Sequence, residues 1–480
     1  MRKKMKYYKC RAGDIGKSIL EILVSLGEAL PETPCGGKGS CGKCRMRVKG
    51  ALSPASAFEI SLLGEEYEKG VRLICMARVQ GSFEYEEIKE TSAEIQTDFS
   101  AGETKVKNRN SLLAVDIGTT TVAVYKIDNG NIYEKKSFMN PQRIHGADVI
   151  SRLVYADGGG KNELKNEICN AIKDSCEKEF DYAVICGNTA MEHFLCGEDP
   201  SGIAKLPFTP ATLFGKCYSF DFCKNTYIAP CVAAYVGGDI TLGMLAAELD
   251  REEKTTLYMD IGTNGEIALK RGDKILCCSA AAGPAFEGGN IEFGMTASCG
   301  AVERVYIDGG GYKFDTVGNA EPAGICGSGL IDAAAVLLEL ELMDETGRLE
   351  QDRYYFGEKV YISQKDIRNL QSAKAAVAAG VRTLCHEAKC KVSDIEKVII
   401  AGGFGTHINT ESALKIGLIP YDFEGEVESP GNLAGMGAVG FALNSDEKRL
   451  WDLLERVSYT ELSGHKKFNE YYIEEMMFEY

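Results

Sequence analysis

Four of the 18 cysteines, Cys35, Cys41, Cys44 and Cys75, follow the spacing C-x5-C-x2-C-x30-C. Gly36, Gly37, Gly39 and Gly42 sit among the first three. Two irons bridged by sulfide need four thiolates, and one loop can supply three of them with the fourth from elsewhere. Glycines let such a loop wrap tightly and aim backbone N–H groups at the sulfurs, which helps set the potential. Zinc favours two pairs of near neighbours, and only one such pair exists here. A 2Fe–2S cluster is therefore the first reading and zinc the second. The remaining cysteines are scattered, mostly among apolar neighbours, and read as small buried hydrophobes. In a reducing cytoplasm no disulfide framework is expected.

A second chemistry is written in two short repeats. Asp116-Ile-Gly-Thr-Thr-Thr121 and Asp260-Ile-Gly-Thr-Asn-Gly-Glu266 share Asp-Ile-Gly-Thr, 144 residues apart. In each, a glycine (Gly118, Gly262) lets backbone approach a phosphate, while Thr119, Thr120, Thr263 and Asn264 offer donors. Asp116 and Asp260 are placed to hold Mg2+ through water, since Mg2+ keeps part of its hydration shell. One such tip is an ordinary turn; a pair with a third element is not. That element is Val398-Ile-Ile-Ala-Gly-Gly-Phe-Gly405, where Gly402 and Gly403 end a buried strand and leave backbone for an adenosine to lie against. A Rossmann turn would need G-x-G-x-x-G, which is not met. Three more loops carry weaker signals. Cys186–Met191 should open a helix, with an Asn cap as the plain reading. Ile325–Leu330 leads into a helix and places Gly327 and Ser328 to touch a ribose, or is an ordinary tight loop. Ala282–Gly289 should leave Phe286 and Glu287 exposed or facing a cleft, or is a rigid connection.

The elements that must position these groups follow from pattern. Ser18 and Glu21 form a capping box ahead of an apolar helical face, Ile19, Ile22, Leu23 and Leu26. Arg45–Lys49 and Phe83–Tyr85 read as short strands. The 26 residues from Glu86 to Ser111 are rich in Glu, Lys, Thr, Ser and Asn, the composition of a linker. Beyond it, strand-like runs at Leu112–Val115, Val122–Ile127, Ala183–Ile185, Leu257–Met259, Ile267–Lys270 and Val398–Ile400 alternate with helices. The helical candidates are Lys161–Glu179, Ile240–Leu249, Leu330–Leu342 and Gln364–Lys389. Alternation predicts an α/β architecture, and the repeat predicts two related halves. The expected domains are 1–87, a linker 88–110, lobes over 111–250 and 251–445, and a helical extension 446–480. With 54 basic against 70 acidic residues the net charge is −16, which disfavours nucleic acid and anionic membranes as partners. No apolar run reaches the ~20 residues of a membrane span, and no signal-peptide core follows the basic start. A cytoplasmic protein is expected.

The three nucleotide elements are similar to the phosphate-1, phosphate-2 and adenosine motifs of the actin, sugar kinase and Hsp70 (ASKHA) superfamily, an ATPase fold of two lobes. That resemblance makes Cys231–Leu249 and Gly431–Leu443 its connecting helices and puts Asp239 where a residue often orients the attacking water. An aspartate stabilising a helix N-terminus is the plain alternative. The N-terminal segment resembles β-grasp 2Fe–2S ferredoxins (α+β) of adrenodoxin-like spacing, but only Lys6–Arg11 precedes the helix where a full hairpin is usual. An edge strand should be missing. A ferredoxin joined to such an ATPase closely resembles the reductive activators of corrinoid proteins, over essentially the whole chain. Members use ATP to drive an electron from the cluster to a cob(II)alamin-type cofactor, restoring cob(I) on the corrinoid protein of a methyltransferase system. The resemblance implies a 2Fe–2S cluster, ATP and Mg2+ as cofactors, and a low-potential electron donor. The rigid flanks Gly283-Pro284 and Gly288-Gly289 suggest that Phe286 and Glu287 engage the corrinoid partner or couple it to the cleft, with bracing of the second phosphate loop as the plain rival. Driving one electron uphill by a few hundred millivolts costs roughly 5–7 kcal/mol, a demand suited to ATP. Longer members carry a small middle domain implicated in dimerisation; the linker leaves no room for it, which puts dimerisation by that route in doubt and leaves a homodimer open. The competing readings are a small-molecule kinase with a regulatory cluster, Asp239 serving as base, and an ATP-dependent scaffold like Hsp70.

Overall fold

A computed structural model describes residues 5–26, 31, 44–87, 110–402 and 408–478. It has two compact units, Met1–Thr91 with Pro141–Tyr155, and Ser92–Asn140 with Ala156–Tyr480. Pro141–Tyr155 thus groups with the N-terminal unit, where chain order alone had put it in the first lobe.

In the N-terminal unit, β1 (Lys6–Tyr8), β2 (Arg45–Leu52), β3 (Val71–Leu73) and β4 (Val79–Glu87) form a sheet in the order β1-β4-β2-β3. The helix Ile19–Ser25 starts at the predicted box: Ser18 Oγ accepts from the Glu21 amide at 3.1 Å, and the Glu21 carboxylate accepts from the Ser18 amide. It buries Ile19, Leu20, Ile22 and Leu23 against Met46, Val48, Leu73 and Phe83. β1 pairs antiparallel with β4, Tyr7 opposite Glu84, so among the described residues the last strand takes the short first strand as its neighbour directly. Among the described residues β1 is one edge of this sheet.

The larger unit repeats one design. β5 (Ser111–Ile117), β6 (Thr121–Asp128) and β7 (Asn131–Met139) form an antiparallel meander; β8 (Tyr182–Gly187), β9 (Lys216–Tyr218) and β10 (Thr226–Ile228) extend it. The order is β7-β6-β5-β8-β10-β9, with β8 parallel to β5 and β10 parallel to β8. The second sheet opens with β11 (Thr256–Ile261), β12 (Gly265–Arg271) and β13 (Lys274–Ala280), again antiparallel. Smaller sheets follow, β14 (Ala301–Asp308), β15 (Gly311–Thr316) and β16 (Gly324–Ile325), then β17 (Arg353–Phe356) and β18 (Val360–Ser363). β19 (Lys397–Ala401), β20 (Glu426–Gly431) and β21 (Val457–Tyr459) complete the order β20-β19-β11-β12-β13-β21, β19 parallel to β11 and β20 parallel to β19. Setting aside β9 and β21, both sheets run third, second, first, fourth, fifth, which is the duplication that the paired Asp-Ile-Gly-Thr runs predicted. The region after 445 holds the helices Glu447–Leu454 and Lys466–Glu474, and between them β21 joins the second sheet parallel to β13.

One apolar cluster runs through both sheets, with Leu112, Tyr125 and Val184 from the first and Tyr258, Ala268 and Cys277 from the second. Helices Gly238–Ala246 and Leu433–Asn444 lie within it. Their glycines explain themselves by proximity. A Cβ on Gly437 would lie 2.1 Å from the Leu242 carbonyl oxygen, and one on Gly243 would lie 2.1 Å from the Tyr258 hydroxyl. Such approach outweighs the roughly 1 kcal/mol that glycine costs in a helix interior.

Candidate functional site

The cysteine site is described in part. Cys44 and Cys75 are buried, and their sulfurs lie 3.0 Å apart with no disulfide between them. Cys35 and Cys41 lie outside the described residues. Cys44 immediately precedes β2, and Cys75 lies two residues beyond β3, so two paired strands bring residues 31 apart in sequence to one point. A buried ion pair missed in the sequence fixes that corner. Arg72 grips Glu59 through Nε at 2.8 Å and Nη2 at 3.0 Å, and the Leu73 amide donates to Glu59 Oε1 at 3.0 Å. Two converging buried thiols are the soft donor set that an iron–sulfur cluster takes.

In the larger unit both Asp-Ile-Gly-Thr runs are hairpin tips. Asp116 lies near the end of β5, and the Gly118 amide donates to the Thr121 carbonyl at 2.9 Å. A Cβ on Gly118 would lie 2.7 Å from that oxygen, so only glycine fits. Asn140, also unforeseen, is buried and donates through Nδ2 to the Gly118 carbonyl at 2.8 Å, holding the turn. Asp260 lies near the end of β11, and the Gly262 amide donates to the Asn264 carbonyl at 2.9 Å. The parallel neighbours complete the likeness: Asp116 pairs with Cys186, next to Gly187, and Asp260 with Ala401, next to Gly402. Gly402 has φ +93°, and a Cβ there would sit 2.6 Å from Asp260 Oδ1. The glycine assigned to adenosine therefore also clears space for the second aspartate. Gly403 lies outside the described residues.

The acidic groups converge. Burial pushes the Asp116 carboxyl up to about 6, against the pull of Asn432, whose Nδ2 donates to Asp116 Oδ2 at 2.9 Å. Burial and the charges of Asp116 and Glu287 push Asp260 up to about 7. Asp239, in the first turn of Gly238–Ala246, goes well above its ordinary value through burial and the charges of Asp260 and Asp116. Glu266, opposite Asp260 across β11 and β12, is raised through burial and the charges of Asp239 and Asp260. Oxygen donors that raise one another in this way suit a hard divalent cation. Asp239 thus stands with Asp116 and Asp260 while also occupying the first turn of its helix. Beneath it Glu192, fully buried, accepts from the Cys231 thiol at 2.9 Å, and its Oε1 would lie 2.2 Å from a Cβ on Gly238.

The remaining loops sort differently. Asn188 caps Thr189–Cys196 by accepting from the Ala190 amide at 3.1 Å, the plain reading of that run. Ser328 is buried and donates to the Glu303 carbonyl at 3.0 Å, so its hydroxyl is engaged within the fold. Phe286 is buried in the second lobe's core, a correction to its expected exposure: the turn Pro284–Glu287 packs on helices Gly327–Glu339 and Gln364–Ala388. Glu287 faces the cleft, and its Oε2 accepts from Thr120 Oγ1 at 2.9 Å and Thr263 Oγ1 at 2.6 Å. That places it on both Asp-Ile-Gly-Thr hairpins, the bracing role named as the rival to a contact with the corrinoid.

Two family models match the chain: "RACo middle region" over residues 112–252 and "C-terminal domain of RACo the ASKHA domain" over 254–480. The first falls on the lobe of β5–β10, not on the linker. The corrinoid activation enzyme RamQ of Eubacterium limosum is 31% identical over 427 residues, 76% of this chain and 70% of its own. The [Co(II) methylated amine-specific corrinoid protein] reductase of Methanosarcina barkeri is 28% identical over 56% of this chain and 54% of its own. Among solved structures, a reductive activator for corrinoid, iron-sulfur protein superposes with TM-score 0.69 at 29% identity, covering 96% of this chain and 95% of that one. With the second lobe an ASKHA domain, the first repeating its strand order, and the matches spanning both units, the chain belongs to the family of reductive activators of corrinoid proteins.

Proposed function

We propose that this chain couples ATP hydrolysis to the reduction of a corrinoid protein, with a 2Fe–2S cluster on Cys35, Cys41, Cys44 and Cys75 supplying one-electron transfer to a cob(II)alamin-type cofactor that returns to cob(I). The observation that carries this reading is the presence, in one chain, of a converging buried thiol pair and a two-hairpin acidic cleft. Asp116 and Asp260 hold Mg2+ through water. Gly118 and Gly262 backbone, with Thr119, Thr120, Thr263 and Asn264, take the phosphates. Gly402 and Gly403 lie along adenosine and Gly327 along ribose, while Asp239 orients the attacking water. Residues 1–87 form the electron-carrying domain, joined to the lobes through 88–110, and it serves both a low-potential donor and the corrinoid partner. The lobes 111–250 and 251–445 change their mutual closure with nucleotide, favouring one state of the complex and then resetting it. The region 446–480 is counted with the second lobe because β21 joins its sheet. The setting is the cytoplasm; no helix among the described residues is long and apolar enough to cross a membrane.

The test is the cob(II) to cob(I) absorbance change on a candidate corrinoid protein under a strong reductant. The band should grow with catalytic amounts of the chain and MgATP together. Equal growth without ATP would remove the ATPase from the function. Metal analysis of anaerobically prepared protein should give iron and sulfide; zinc would remove the redox role.

A further inference from the structure

The glycine-flanked loop Ala282–Gly289 carries a chemistry of its own at Glu287. Its single oxygen Oε2 collects the hydroxyls of Thr120 and Thr263, one from each phosphate hairpin. A threonine hydroxyl has one hydrogen to donate. While both are given to Glu287, neither is available to a phosphate. The carboxylate also sits over the second turn: a Cβ on Gly262 would be 3.4 Å from its Oε1. In charge and acceptor character it imitates a phosphate oxygen placed between the two tips.

The backbone beneath it is fixed. Pro284 opens the turn, and Gly283 and Gly288 both have φ of 76°. A Cβ on Gly289 would lie 2.5 Å from Pro284, and Phe286 is buried. The flexible part is the Glu287 side chain alone, so any exchange of partners is a rotamer change and leaves the loop in place.

We infer that Glu287 is an internal competitor of the nucleotide's terminal phosphate: Thr120 and Thr263 serve either its carboxylate or that phosphate, and ATP binding requires the exchange. The inference rests on the reading that these hairpins bind ATP. With the terminal phosphate as the one that lies between the tips, ATP forces the exchange and ADP does not. The device gives the cleft a preference that depends on the terminal phosphate, and its strength is the fraction of time the hydroxyls are occupied internally.

Calorimetry of the full anaerobic chain with a non-hydrolysable ATP analogue and with ADP, each with Mg2+, tests it. Two charge-assisted hydrogen bonds are at stake, so Glu287→Ala should tighten the analogue about tenfold. ADP affinity should change less than about threefold. The Glu287→Gln variant, a neutral acceptor of the same shape, should move in the same direction by a smaller factor, and it keeps the test open if the alanine variant misfolds. A purely structural brace would give the opposite sign: unchanged or weaker analogue binding in both variants overturns the competitor. Equal tightening of ADP and analogue overturns its dependence on the terminal phosphate. If wild-type chain binds neither nucleotide, the ATP reading of the hairpins fails, and the competitor falls with it.

Discussion

Asp116 and Asp260 occupy the same place in two sheets of the same strand order, each just ahead of a glycine turn and beside a parallel strand that ends in glycine. Around Asp116 there is a neutral donor, Asn432, which reaches across from the cap of helix Leu433–Asn444. Asp260 has no such donor among the described residues; it faces Asp116 and Glu287, and only the missing Cβ of Gly402 leaves room for its Oδ1. Duplication therefore supplied two copies of a backbone, and side chains from outside the copies made them unequal. The first lobe holds its aspartate by a hydrogen bond. The second leaves its aspartate under like charge, in the arrangement that gains most from a cation.

The largest expected effect contrasts this cleft with the N-terminal unit. Cys75→Ser should abolish cobalt reduction and the visible cluster absorbance. ATP hydrolysis measured by phosphate release should stay within about twofold, since the cleft residues come from the two lobes. Loss of both activities together would mean that the cluster-bearing unit takes part in hydrolysis.

Next comes the crowding at Asp260. Gly402→Val puts a branched carbon into a left-handed backbone position and against Oδ1, displacing the aspartate. Hydrolysis should fall at least about a hundredfold, as expected when a charge-stabilising group is lost from its place. The counterpart Gly187→Ala places its carbon 2.7 Å from the Ile117 carbonyl and not on a carboxylate. It should cost thermal stability more than turnover. Equal kinetic damage from both would erase the distinction between the two lobes.

The smallest effect sharpens the role of Asn432. Asn432→Ala removes the donor that draws the Asp116 carboxyl down, so its pKa should rise further toward that of Asp260. More of the variant's Asp116 is then neutral near neutrality. Hydrolysis should fall several-fold near about pH 6.5 and less near about pH 8.5, where the carboxyl ionises in both proteins. A loss that does not vary with pH would assign Asn432 to helix capping alone.

How far the sequence goes is set by how local each feature is. The capping box, the two hairpin tips and the strand ending at Ala401 are each encoded within a few adjacent residues, and all were legible. So was the duplication, because four identical residues recur at matching places. Contacts made by folding were not. Glu287 meets Thr120 from 167 residues away, and Asn432 meets Asp116 from 316 away. No neighbour in sequence marks Asn432, and the glycines around Glu287 mark its loop without indicating Thr120 as its partner. Phe286 follows Pro284 and Ala285 with no apolar period, so its burial could not be read from spacing. The three residues of β21 are too few to alternate visibly, which hid a strand inside a region that reads as helical.

The central claim is that two unequal hairpins make one MgATP site that drives cobalt reduction. The direct measurement is ATP-dependent cob(I) formation by Asp116→Asn and Asp260→Asn, followed in parallel with phosphate release. Both variants should lose the two activities together by at least about a hundredfold, with the cluster spectrum unchanged. Normal phosphate release and cobalt reduction in either variant would contradict the account, because one hairpin would then be an ordinary turn.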